Sequence, residues 1–183
     1  MQRRNVIATI AAAPLVFLGL LSTRDAPGAS KDAIEDIRRN WRALLAKNAE
    51  VAVSPEPIAR TNELWKSLLT PPQYQVLREE GTERAFTSPL NAEKRPGVFA
   101  CAGCSLPLFT SQMKYESGTG WPSFFTSIPD RLALKKDFKL IVQRDEYHCV
   151  RCGGHQGHLF DDGPPPTRQR WCNNGVALRF IPA

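Results

Sequence analysis

Several things are scarce in this chain of 183 residues. Histidine occurs three times only, always between His148 and His158. There is no internal repeat and no low-complexity tract, so solenoid and fibrous architectures are excluded. No stretch carries charge of one sign. The net charge of +6 divides into +3 over residues 1–60 and +3 over residues 61–183. A surface of mixed, solvated charge follows, with no nucleic-acid partner implied. An even complement of cysteines is also lacking, and five cannot complete a disulfide framework. The length suits one domain with appendages rather than two full domains. Proline, by contrast, is plentiful at 15 residues, above the usual share of about 5%. With 12 glycines and short apolar runs, it favours a loop-rich, strand-rich body.

The N-terminus "MQRRNVIATIAAAPLVFLGLLSTR" places 19 uncharged residues between Arg4 and Arg24. A charged start followed by an apolar run is the pattern of an export signal. The Arg3-Arg4 pair resembles a twin-arginine signal, which would carry a folded protein to a bacterial periplasm. If the segment is not cleaved, it becomes a short membrane anchor. Residues 1–23 are therefore assigned to a signal or anchor, 24–60 to a helix and linker, and 61–183 to the body.

Ser30 is placed to cap a helix that the spacing of Ile34, Ile37, Trp41, Leu44 and Leu45 carries through residues 31–49. "VAVSPEPIA" reads as a linker, since Pro55 and Pro57 block a helix. A short helix is expected over "RTNELWKSLL". Another over "TPPQYQVLREEG" has Thr70 as cap, Pro71 in its first turn and Gly81 as its stop. From residue 82 onward, short apolar or alternating runs are split by Gly, Pro and Asp, which is the pattern of antiparallel strands. The fold class is mainly β, with short helices at its front.

Cys101 and Cys104 form one C-x-x-C pair; Cys149 and Cys152 form another, 44 residues on. Two such knuckles complete a tetrahedral zinc site. They could instead be disulfides or redox dithiols. The odd total and the lack of a βαβ pattern favour metal.

Cys172 is then left over. In an extended strand Arg170, Cys172 and Asn174 share one face. A guanidinium beside the thiol would favour the thiolate, the nucleophilic form. An asparagine amide could orient a histidine or a departing oxygen. His155 and His158 straddle "QG" and could donate a proton near neutral pH. Metal ligation and a plain surface position remain open for both. "ESGTGWPSF" offers two glycines for an unusual loop and Trp121 as a flat apolar wall.

Taken together, "GTERAF", "CAGCSLPLF", "SGTGWPSF", "CGGHQGHLFDDGPPPT", "RWCNN" and "LRF" resemble the B-type methionine sulfoxide reductases. The resemblance runs from about Glu63 to Ala183. It implies two antiparallel sheets with a few N-terminal helices. It also implies a structural zinc on Cys101, Cys104, Cys149 and Cys152, and Cys172 as nucleophile. His155, His158, Asn174 and Arg170 would serve the active site, and Trp121 would pack on the substrate methyl. The family reduces the R epimer of methionine sulfoxide, mainly in oxidised proteins. Thiolate attack on sulfur would leave Cys172 as a sulfenic acid.

Many members carry a resolving cysteine where this chain has Thr119. No other cysteine is free, so recycling falls to an external thiol: thioredoxin-like, glutaredoxin-like or of low molecular weight. Asn173 and Gly175 also stand where an apolar residue and a serine are common, and Trp171 replaces a tyrosine. Altered packing or rate is expected there. Two other classes would use the same cysteines: a non-catalytic zinc module that binds a partner, and a dithiol oxidoreductase.

Overall fold

The computed structural model describes residues 30–137 and 144–183; the segment expected to direct export, residues 1–23, lies outside them. Helix α1 spans Lys31–Arg39, and the Ser30 hydroxyl accepts from the Ala33 amide at 3.2 Å. It stops well short of residue 49. Asn40 closes the last turn, its amide donating to the Asp36 carbonyl and its Nδ2 to Asp36 Oδ1 at 2.6 Å. Asparagine competes for such backbone-like bonds and so favours helix ends over interiors. A 3-10 turn over Trp41–Leu44 then swings Trp41 into the core.

Residues 45–60 contain no helix or strand, yet they are not a free linker. The Ala52 amide donates to the Ser105 carbonyl and the Ile58 amide to the Arg151 carbonyl. The Arg151 guanidinium in turn donates to the Ser54 carbonyl at 2.9 Å. The segment is a strap laid across both cysteine knuckles.

Helix α2, Asn62–Leu68, is capped by Thr61 and buries Trp65. Helix α3, Pro71–Glu79, begins with a full capping box between Thr70 and Gln73. It ends at Glu80, which itself takes the left-handed conformation (φ 55°), one residue before the expected stop at Gly81.

Nine strands follow: β1 Gly97–Cys101, β2 Pro107–Thr110, β3 Lys114–Tyr115, β4 Ser123–Phe124, β5 Leu132–Asp137, β6 Arg144–Cys149, β7 His155–Phe160, β8 Arg170–Asn173 and β9 Leu178–Pro182. They form two antiparallel sheets as expected, one ordered β2-β1-β9 and the other β3-β4-β8-β7-β6-β5. An aromatic cluster joins them. Phe109 of the small sheet stacks on Phe124 of the large one with centroids 4.0 Å apart, and Tyr147 and Trp171 meet Phe109 edge-on. Each such ring contributes roughly 1.5–3 kcal/mol by burial, so this cluster fixes how the sheets face each other.

The large sheet positions the chemistry. Its register sets His158 of β7 opposite Cys172 of β8, Ser123 of β4 on the other side of Cys172, and Glu146 of β6 opposite His158. Directly before His158, at position 157, only glycine fits. A Cβ on Gly157 would lie 1.9 Å from the Cys172 carbonyl oxygen.

Candidate active site and metal centre

The knuckle after β1 carries Cys101 and Cys104, and the knuckle after β6 carries Cys149 and Cys152. Their four sulfurs lie within 4.8 Å of one another. Cys101 and Cys152 are 3.6 Å apart, and Cys104 and Cys149 are 3.5 Å apart. Metal–thiolate bonds of about 2.3 Å in a tetrahedron place sulfurs roughly 3.8 Å apart, so the cluster is able to hold a metal ion. All four thiols are free of disulfides. Hydrogen bonding within the group, from Cys104 first, pushes the Cys101 thiol well up, and bonding from Cys101 first holds the Cys152 thiol down. Four thiolates this close repel, and a divalent cation removes that conflict. Gln156, fully buried, donates its Nε2 to Cys101 Sγ at 3.3 Å.

Around Cys172 a small pocket of about 100 Å³ is lined by Thr82, Trp121, Gly157, His158, Phe160, Cys172, Asn173 and Asn174. Pockets for cofactors or whole drug-sized ligands are several times larger. This one fits the end of a side chain. Trp121 reaches it from a loop in which Gly118 and Gly120 take left-handed φ of 72° and 89°. The Trp121 ring is anchored by its Nε1, which donates to the Glu83 carbonyl at 3.1 Å.

Arg170 is where the expected electrostatics change. The charge of its guanidinium favours the Cys172 thiolate, but burial pushes that thiol up more strongly. Part of the arginine charge is also taken by Asp162, which accepts from Nε at 2.7 Å and Nη2 at 2.9 Å. The net result is a thiol above its ordinary range, not below it.

Asn174 does not continue the strand of Arg170 and Cys172. Strand β8 ends at Asn173, and Asn174 starts a 3-10 turn. Both ends of its amide are bound to backbone: Oδ1 accepts from the Glu83 amide and Nδ2 donates to the Gln156 carbonyl, each at 3.0 Å. It lines the pocket as a brace.

The two histidines separate by depth. His158 lines the pocket beside Cys172. His155 lies behind it, buried, with ring centroids 5.4 Å apart. Burial first, then His148, pulls His155 down to about 4, so its imidazole is neutral at pH 7.

A SelR domain model matches residues 69–182. The peptide methionine sulfoxide reductase MsrB of Methanosarcina barkeri is 49% identical over 129 residues, covering 70% of this chain and 91% of its own. That of Pseudomonas putida W619 is 48% identical over 128 residues, covering 69% and 96%. The chloroplastic reductase B1 of Arabidopsis thaliana is 44% identical over 134 residues, covering 73% and 66%. The chain belongs to the MsrB family.

Within an MsrB frame, three residues had no role in the sequence reading. Glu83 sits inside "GTERAF", and its carboxylate accepts from the Val176 amide at 2.9 Å and from the Gly175 amide. Asp162 sits in "DDG", eight residues before the arginine it pairs with. Gln156, between the histidines, ties the cysteine cluster to Asn174. A carboxylate next to a motif arginine was the one legible signal among these.

The residues that differ from common MsrB usage are accommodated by packing. Asn173 is fully buried, accepts from the Tyr147 hydroxyl at 2.9 Å and donates to the Asn174 carbonyl. Trp171 packs edge-on against Tyr147, and its Nε1 donates to Gln169 Oε1. The Thr119 hydroxyl pairs with Ser117 Oγ at 2.9 Å and favours the Cys172 thiolate.

Proposed function

We propose that this MsrB reduces methionine-R-sulfoxide residues in oxidised proteins, with Cys172 as the nucleophile. The carrying observation is that Cys172, His158 and Trp121 line one side-chain-sized pocket. The substrate methyl packs on the Trp121 ring. The Cys172 sulfur attacks the sulfoxide sulfur while His158 gives a proton to the oxygen. Trading a buried thiol for attack only when the oxygen accepts a proton suits the raised Cys172 and keeps it from idle oxidation. The oxygen ends on Cys172 as a sulfenic acid, and neutral methionine leaves. Two external thiol equivalents then return Cys172 to the thiol, forming a disulfide and water. Thioredoxin-like, glutaredoxin-like and small-thiol reductants all supply that chemistry.

Zinc is the proposed occupant of the four-cysteine cluster, where it supplies a structural crosslink between the knuckles. Cys101, Cys104, Cys149 and Cys152 would hold it, and Gln156 would donate to one ligand. Elemental analysis should find one zinc per chain; active protein without metal would overturn this. Export to the periplasm is proposed from the Arg3-Arg4 segment alone. Recovery of the native protein solely from cytosol would refute it.

The deciding assay supplies R- and S-sulfoxide peptides with dithiothreitol to the protein and to Cys172→Ser. Only the R peptide should turn over, and only with Cys172 present. Turnover of S alone, or undiminished activity of the variant, would overturn the proposal.

A further inference from the structure

A second group of metal-type donors lies outside the four-cysteine cluster: Glu146, His148 and His155 converge with ligand atoms within 4.8 Å of one another. We propose that these three side chains form a separate site for a borderline divalent transition ion of the cobalt or zinc type.

Topology brings them together. Glu146 and His148 are alternate residues of β6 and so share a face. A register shift between Tyr147 and His148 then sets His148 opposite His155 of β7. His148 Nε2 lies 2.9 Å from Glu146 Oε1, and His155 Nδ1 lies 3.6 Å from Glu146 Oε2. Metal bonds of about 2.0–2.1 Å in a tetrahedron space donors roughly 3.3 Å apart, within that range.

Three further observations point to an ion. His148 Nδ1 faces the Gly153 carbonyl at 3.1 Å. In the neutral ring that nitrogen donates, so Nε2 turns a lone pair toward the carboxylate. A histidine held this way by a backbone carbonyl is the usual support of a metal ligand. Two acceptors 2.9 Å apart also need a cation or proton between them. His155 is 1% exposed, and neither of its ring nitrogens has a hydrogen-bond partner. Finally, Glu146 is 2% exposed, so its charge is little screened.

Two imidazoles and one carboxylate select borderline transition ions over calcium or magnesium, which prefer all-oxygen sites. One competitor is present. Lys135 Nζ lies 3.0 Å from Glu146 Oε1 and 2.8 Å from Glu80 Oε1. Its side chain is 57% exposed, so it can leave Glu146 and keep Glu80. Lysine and metal therefore exclude each other. An ion here would fix the ring behind His158. That regulatory consequence rests on the proposed reductase, whereas the binding does not.

The test uses full-length Cys172→Ser carrying one equivalent of zinc, so that the remaining thiol is no ligand, and titrates it with cobalt(II). Calorimetry should find one further equivalent. Its visible spectrum should show cobalt d–d bands without thiolate charge transfer. His148→Gln and Glu146→Gln should each abolish that equivalent while zinc content and near-UV circular dichroism stay unchanged. Lys135→Met, at an exposed position, should tighten binding several-fold, which misfolding cannot mimic. No further equivalent, an equivalent retained by both site variants, thiolate charge transfer, or unaltered affinity in Lys135→Met would each overturn the proposal.

Discussion

Asp162 grips Arg170 with two hydrogen bonds, 2.7 and 2.9 Å long, and Arg170 is the positive charge that faces Cys172. The carboxylate therefore acts on the thiol through the arginine and directly, both times raising it. Asp162→Asn removes that negative charge, so the Cys172 pKa should fall. Alkylation by iodoacetamide at neutral pH should quicken a few-fold, as expected when a nearby charge is removed near a surface. A slower reaction would contradict this account.

The Thr119 hydroxyl favours the Cys172 thiolate. In the protein as it stands, one equivalent of sulfoxide without reductant should leave a sulfenic acid that dimedone traps. Thr119→Cys should replace that adduct with an internal disulfide, visible by mass under non-reducing conditions. A persistent dimedone adduct in the variant would mean the two side chains do not meet.

Glu83 ties together three parts of the pocket. Its carboxylate holds the turn after β8, its carbonyl holds Trp121 and its amide holds Asn174. Glu83→Ala leaves two amides unpaired, at a cost of about 1–3 kcal/mol each where water is excluded. The thermal midpoint and kcat/KM should both drop, and Glu83→Gln should recover part of each. Equal behaviour of the two variants would argue against the carboxylate bonds.

His155 titrates near 4 instead of 6.5. A histidine whose folded value is depressed stabilises fully above its unfolded value, and that contribution is lost as pH falls from about 6.5 toward 4. Its ring resonances in an NMR titration should therefore keep neutral-form shifts at pH 5.5. Protonation near pH 6.5 would show that the ring is wetter than the fold implies.

Removing the proposed zinc should be felt at the pocket. Gln156 donates to Cys101 Sγ with its side chain and accepts from the Asn174 amides with its carbonyl. Under a strong chelator, activity should decay in step with metal release, although Cys172 is no part of the cluster. Full activity in metal-depleted, folded protein would break this link.

The legible features were those written locally. Paired cysteines at fixed spacing, the Thr70 cap and the alternating runs each sit within a few residues of their partners. Sequence-distant bonds were not legible. Glu83 meets Gly175 and Val176 across more than ninety positions. The sign of the Cys172 shift also escaped, because proximity to Arg170 can be read from spacing but burial cannot. Helix α1 was drawn too long for a related reason. Apolar periodicity continues past Asn40, while the bonds Asn40 makes to Asp36 end the helix.

The strap of residues 45–60 redraws the outline of the working unit. The SelR model begins at residue 69, but hydrogen bonds to Ser105 and Arg151 begin at Ala52 and Ile58. A chain trimmed to residue 69 would bare the backbone of both knuckles to solvent. The span that the SelR model recognises is thus smaller than the piece that must be assembled before the four-cysteine cluster can hold an ion.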